Sequence, residues 1–108
     1  MKISSNQMAA LTQSRRAEFL WRVKAFLGQR AQRPVEVGEL AVLYERGERY
    51  GLVTEQELAG YIAMAWAVDA GRDARDPAWI ERIMGDPHRV AFDRVAALFR
   101  AADAQAGR

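Results

Sequence analysis

Apolar residues recur every three to four positions along most of the chain, which is the pattern of helices buried on one face. The first stripe ends about a quarter of the way along and predicts a helix capped at Ser4 or Ser5 and running to about Gln29. A polar interval before Phe19 allows a break near Thr12 to Ser14. The predicted inward residues of this helix are Met8, Leu11, Phe19, Leu20, Val23, Phe26 and Leu27.

The middle of the chain predicts two further helices. The first covers roughly Val37 to Glu48 and ends at Gly51, which stands where a left-handed residue is expected after a helix. The second begins at Thr54, where Thr54 and Glu57 have the spacing of a capping box and Val53 and Leu58 that of a hydrophobic staple. Inward positions predicted for the two helices are Leu40, Leu43 and Tyr44, then Leu58, Tyr61, Ile62, Ala65 and Trp66.

Two Asp-Pro pairs predict the starts of the last helices, with the aspartate as N-cap and the proline in the first turn. Asp76-Pro77 precedes a short helix that Gly85 ends, and Asp86-Pro87 precedes the C-terminal helix. Their predicted inward residues are Trp79, Ile80, Ile83 and Met84, then Val90, Val95, Leu98, Phe99 and Ala102. No segment alternates as a strand would. The sequence therefore predicts an all-α fold, a single small bundle of four to five helices over residues 1–108, with residues 1–4 and 105–108 frayed.

The side chains that most active sites need are scarce. The chain has no cysteine, and its one histidine, His88, lies at a predicted helix start. Asp69, Asp73 and Asp76 share one loop, but their spacing is not that of a calcium loop and arginines lie between them. We therefore predict no catalytic residues, no metal site and no cofactor, and hence no enzyme.

Charge is divided unevenly along the chain. Residues 1–34 carry seven basic residues against Glu18 alone, a formal charge of +6, whereas the remainder carries nine basic and thirteen acidic residues, or −4. Trp21 lies on this basic helix, toward the flank of the predicted apolar stripe. Exposed tryptophan beside arginine is typical of binding hot spots, and the alternative is that Trp21 packs at the rim of a neighbouring helix while the arginines are solvated. The candidate partner-binding residues are Arg15, Arg16, Trp21 and Arg22.

Several segments resemble a group of small helical bacterial proteins encoded in type VI secretion effector clusters, beside spike-tip, effector adaptor and toxin proteins. The most specific is Arg49-Tyr50-Gly51-Leu52-Val53-Thr54-Glu55 followed by Tyr61-Ile62-x-Met64. The other matching segments are Met8-Ala9-Ala10-Leu11, Phe19-x-x-Arg22-Val23 to Leu27, and Asp76-Pro77-x-Trp79. Related sequences carry an aromatic-Gly and a Phe-Asp pair where this chain has Ala67-Val68-Asp69-Ala70-Gly71, so the partner here can differ.

The resemblance implies a non-enzymatic co-chaperone that binds a larger effector adaptor or chaperone, and with it the toxin effector, so that the toxin is loaded on the secretion spike. An immunity protein that neutralises a cognate toxin is the alternative. A DNA-binding regulator is disfavoured because the would-be recognition helix begins Glu55-Gln56-Glu57. We expect no nucleic acid partner, no membrane insertion and a cytoplasmic location; the sequence leaves a homodimer open.

Overall fold

The computed structural model describes the backbone of residues 5–106 and the side chains of residues 14–104, and all of its regular structure is helical. The helices are α1 (Ser5–Gly28), α2 (Val37–Arg49), α3 (Glu55–Ala67), α4 (Ala78–Met84) and α5 (Ala91–Ala106), with one 3₁₀ turn at Ala70–Arg72. No strand occurs in that part of the backbone, so the all-α prediction is confirmed. Among the helices described, none is both long and apolar enough to cross a bilayer. The ends expected to fray lie largely outside the described residues.

The chain divides into two compact units, Met1–Val37 and Gly38–Arg108. The first contains α1 and the connection that follows it. The second contains almost all of α2 and the whole of α3, α4 and α5. The expectation of a single domain over all 108 residues stays a prediction.

In the first unit α1 is one continuous helix, so the break predicted near Thr12 to Ser14 is absent. The four apolar residues at its C-terminal half that recur with helical spacing are buried, as predicted: Phe19, Leu20, Val23 and Leu27. Phe26 was expected among them and is instead 51% exposed. It is displaced by about 100° from Leu27 around the helix, which carries it off the buried face. The side chains of Met8 and Leu11 lie outside the described residues.

Glycine sets the spacing of α2 and α3 in the second unit. A Cβ atom on Gly47 would lie 2.9 Å from Cδ2 of Leu58 and 3.2 Å from Cδ2 of Tyr61, so a larger residue at this position requires these side chains to shift. Leu40 and Leu43 are fully buried, as predicted. Gly51 has a φ of 89° and supplies the left-handed turn expected after α2.

The start of α3 confirms the capping box but not the staple. The backbone N–H of Glu57 donates to Oγ1 of Thr54 at 3.1 Å, and the backbone N–H of Thr54 donates to Oε1 of Glu57 at 3.2 Å. Val53 is 82% exposed and therefore does not pack on Leu58. The N–H of Val53 also donates to Oε1 of Glu57, so this carboxylate binds two successive backbone N–H groups at the entry to the helix. The five inward residues predicted for α3 are buried.

Helix α5 packs against both α3 and α4. It begins at Ala91 and not at Pro87, because Oδ1 of Asp86 accepts from the N–H of His88 at 2.9 Å and holds residues 86–89 in a turn. Val95 and Leu98 are buried, but Val90 and Phe99 are exposed, contrary to the prediction for this face. In α4, Ile80 and Met84 are buried as predicted, whereas Trp79 and Ile83 are only partly covered.

Candidate protein-binding surface

Trp21 projects from the solvent face of α1. It is 58% exposed, and it precedes the buried Val23 by two positions, about 200° around the helix. Trp21 therefore lies nearly opposite the buried stripe and not at its flank, where the sequence had placed it. An indole left this open in a short chain is unusual, because tryptophan side chains are highly buried on average.

Cations lie over the exposed rings of α1. Nζ of Lys24 is 4.6 Å from the ring centroid of Trp21, and Cζ of Arg30 is 3.8 Å from that of Phe26. The guanidinium of Arg30 is held there because its Nη1 also donates to the carbonyl of Phe26 at 3.1 Å. Such cation–π contacts at exposed sites are worth roughly 0.5–1 kcal/mol each. The rings and their cations together give this surface both apolar area and positive charge.

The four candidate residues do not form one cluster. Trp21 and Arg22 line a shallow groove on α1 together with Ser14, Ala17 and Glu18. Arg15 is exposed and lies one heptad before Arg22, on the same side of the helix. Arg16 is only partly exposed and precedes the buried Leu20 by one turn, so it belongs to the other side. We define the α1 surface as Arg15, Trp21, Arg22, Lys24 and Phe26.

Sequence reasoning had not singled out Lys24 or placed Phe26 on this surface. The signal was present, since Lys24 follows Trp21 by three positions and Arg30 follows Phe26 by four, the spacings at which helical side chains meet. Phe26 was instead assigned to the buried stripe, because it stands next to Leu27 in the sequence.

A cluster of hydrogen-bonded polar side chains around Asp76 lies in the core of the second unit. The prediction that Asp76 is the N-cap of α4 is wrong. Pro77 occupies that position, and it has no side-chain cap. The Asp76 carboxylate is instead fully buried. Nη1 of Arg46 donates to its Oδ1 at 2.5 Å, and the hydroxyls of Tyr50 and Tyr61 donate to its Oδ2 at 2.8 and 2.6 Å.

Arg46 also fastens the loop between α3 and α4. Its Nη1 donates to the carbonyl of Ala70 at 3.0 Å, and its Nη2 donates to the carbonyl of Asp73 at 2.6 Å. The turn passes through Asp69, whose φ of 62° is left-handed. Arg46 thus joins α2 to three residues of one loop.

Burial and the carboxylate shift the titration of the groups around Asp76. Burial raises the pKa of Tyr61 well above its ordinary value, and the hydrogen bond to Asp76 raises it further; the pKa of Tyr50 moves the same way for the same causes. Burial acts to lower the pKa of Arg46, but the hydrogen bond and charge of Asp76 outweigh it and raise that pKa. Both tyrosines are therefore neutral donors and Arg46 is a cation at neutral pH.

The cluster combines side chains that are common in active sites, but its carboxylate is not accessible to a substrate. The Asp76 carboxylate has 0% exposure, and each of its oxygens already accepts from a protein donor. We therefore assign the cluster a structural role. Within the described residues, no group of three or more His, Asp or Glu side chains is placed to hold a metal ion.

Comparison with known proteins adds no relative: no family model, no curated protein and no solved structure matches this chain.

Proposed function

We propose that this protein is a non-enzymatic binding factor that holds a larger protein partner through the α1 surface. The observation that carries the proposal is the position of Trp21, which is exposed, nearly opposite the buried stripe, and beside Arg22 and Lys24. Tryptophan and arginine are the residues most enriched in binding hot spots. The basic charge of residues 1–34 favours a partner with an acidic face.

The partner we propose is an effector adaptor of a type VI secretion system, for which this protein acts as co-chaperone during loading of a toxin. This step rests on the resemblance of the segments around Tyr50-Gly51 and Tyr61-Ile62 and not on the geometry of α1. In the structure these residues lie in the second unit, where Tyr50 and Tyr61 both bind Asp76. The resembling residues thus include ones that stabilise the fold, while the α1 surface supplies the contact.

The test is co-purification of the full chain with the adaptor encoded in its own gene cluster. The double variant Trp21→Ala with Arg22→Glu should weaken binding at least about thirtyfold, since loss of one hot spot costs about 2 kcal/mol. Its circular dichroism and melting should remain those of the unaltered protein, because both side chains are exposed.

A matched control is Val42→Ala with Arg49→Glu, an exposed apolar residue and an exposed arginine seven positions apart on α2. It should bind the adaptor at full strength. Undiminished binding by the Trp21 variant, or an equal loss with the control, contradicts the assignment of the α1 surface. Capture and inhibition of a toxin without an adaptor would instead identify an immunity protein.

A further inference from the structure

A line of uncharged residues, all small except Trp21, runs along the outer side of α1. We call it the outer seam, and its exposed members are Ser14, Ala17, Trp21, Ala25 and Gly28. Spacings of three and four positions place them on one face of the helix, nearly opposite the buried Val23. A helix face that remains in solvent typically carries charged side chains. Helix α1 therefore has a second face with the residue pattern of helix packing.

The seam leaves room for another backbone to come close to Trp21. The residues one turn before and after it, Ala17 and Ala25, have no side chain beyond Cβ. Apart from the backbone of α1 itself, no described atom lies within 4 Å of the place that a Cβ atom on Gly28 would take. The indole thus projects between small neighbours, and a second helix can lie along α1 with its side chains packed around the ring.

Basic side chains border the seam on both edges. Lys24 lies on one edge, with its Nζ 4.6 Å from the ring centroid of Trp21. Arg15 and Arg22 lie on the other edge together with Glu18, the one acidic residue in the sequence of α1. In pairs of packed helices, the charges beside the apolar seam decide which partner is accepted. These edges favour a helix with acidic edges and disfavour a second copy of α1, whose charges are of the same sign.

Lys24 carries a charge that its own helix does not neutralise. The positions three and four away from it in either direction hold Leu20, Trp21, Leu27 and Gly28, none of which is acidic. A partner that covers Trp21 also removes water from the ammonium group resting on the ring, and a desolvated charge is costly unless it is paired. A partner that brings a carboxylate to Lys24 avoids this cost, whereas a neutral partner does not.

We propose that the partner binds α1 with an acidic helix, whose apolar side chain covers Trp21 and whose carboxylate pairs with Lys24. Lys24 is then the residue that determines specificity, since it makes the exposed indole selective for helices with acidic edges. The inference rests on the proposed function, because it names the part of the partner that the α1 surface takes.

Synthetic helical peptides about three heptads long test the proposal with the full chain. They share a face of alanine with one central leucine, and they differ only in the residues beside that face, which are glutamate, glutamine or lysine. Fluorescence anisotropy of the labelled peptides measures their dissociation constants. The glutamate peptide should bind about three- to tenfold more tightly than the glutamine peptide, as expected for a few partly exposed ion pairs, and added salt should reduce the difference. The lysine peptide should bind most weakly.

Charge reversal assigns the preference to one residue. Lys24→Glu should abolish the preference for the glutamate peptide and should bind the lysine peptide more tightly than the unaltered protein does, because opposite charges again face one another. Arg49→Glu makes the same charge change at an exposed position of α2 and is the matched control, which should keep the preference for glutamate. Trp21→Ala should weaken the binding of all the peptides. Circular dichroism should be unchanged in these variants, whose altered side chains are at least partly exposed.

Three results overturn the proposal. The first is that the glutamate peptide binds no better than the glutamine peptide, or that neither binds. The second is a preference for glutamate that Lys24→Glu leaves intact or that Arg49→Glu abolishes equally. The third is a dimer of the chain, seen by sedimentation equilibrium and dissociated by Trp21→Ala, which gives the seam to a second copy.

Adaptor binding separates this inference from the proposed function. If the double variant of Trp21 and Arg22 loses the adaptor and Lys24→Glu keeps it, the proposed function stands and the acidic helix is wrong. If the chain binds no adaptor but prefers the glutamate peptide through Lys24, the acidic helix stands and the adaptor is the wrong partner.

Discussion

Two regions of this molecule place an arginine beside aromatic rings, but the arginine is exposed in one region and buried in the other. Directly after α1, Arg30 lies over Phe26 of that helix in solvent and donates to one backbone carbonyl. In the second unit, Arg46 is buried and forms three hydrogen bonds, one of them to the equally buried Asp76. A buried charge must be paired and hydrogen-bonded, whereas an exposed one retains its water.

The difference indicates which region can bind a partner without disrupting the fold. Both carboxylate oxygens of Asp76 accept hydrogen bonds from protein donors, so a ligand would have to displace these donors to bind there. The cations of α1 rest on rings through contacts worth about 0.5–1 kcal/mol, which a partner can replace without loss of structure. The richer polar cluster therefore stabilises, and the sparser surface is the better candidate for function.

The largest expected effect is on the buried side of this comparison. Asp76→Ala leaves Arg46 buried without its counter-charge and should lower the free energy of unfolding by about 3–5 kcal/mol. The control is Asp73→Ala, which alters an exposed side chain three residues away while keeping the carbonyl that Arg46 uses. Chemical denaturation of both variants measures the difference. Equal midpoints would show that the ion pair contributes nothing to stability.

The two tryptophans give a matched pair for packing. Trp66 is buried in α3, and Trp66→Ala should cost roughly 3–5 kcal/mol of unfolding free energy. Trp21→Ala removes the same side chain from an exposed site and should cost within about 0.5 kcal/mol. Thermal melts of the two variants compare them directly. A strong destabilisation by Trp21→Ala would mean that this indole packs inside the molecule and would remove it from the α1 surface.

Alkaline pH should lower the stability that the buried cluster around Asp76 supplies. The folded pKa values of Tyr50 and Tyr61 lie above the unfolded value of about 10, so the unfolded chain loses these protons first. The stability that the two hydroxyls supply is full below about pH 10 and falls as pH rises beyond it. Tyr61→Phe should cost about 1.5–3 kcal/mol at pH 7, the worth of a hydrogen bond to a charged group, and should flatten the alkaline slope. Denaturant titrations from pH 7 upward check both expectations, and an unchanged slope would contradict them.

The helices were predictable because their signals are local. The capping box requires only that Thr54 and Glu57 stand three positions apart. The left-handed turn is predicted by Gly51 itself, because glycine has no side chain to oppose a positive φ. The apolar spacing of Leu58, Ile62, Ala65 and Trp66 likewise depends on nothing outside α3.

The role of Asp76 was not predictable, because its partners lie 15, 26 and 30 residues away. In sequence it is one of several loop aspartates, and Asp-Pro is an ordinary helix start. Only the fold brings Arg46 and the tyrosines to it. For the candidate site, the charge of α1 and the presence of Trp21 were readable, but which arginine faces it depends on the register of the helix, and Arg16 turned out on the other side.

The smallest effects test the start of α3, where one predicted device is present and the other is not. Thr54→Ala removes the acceptor for the N–H of Glu57 and should cost about 1 kcal/mol of unfolding free energy. Val53→Ala should change it by less than about 0.5 kcal/mol, because the side chain is exposed and contributes no staple to Leu58. Urea midpoints of the two variants separate these outcomes. If Val53→Ala were as costly as Thr54→Ala, a packing contact of Val53 would be needed to explain it, and the polar account of this helix start would be wrong.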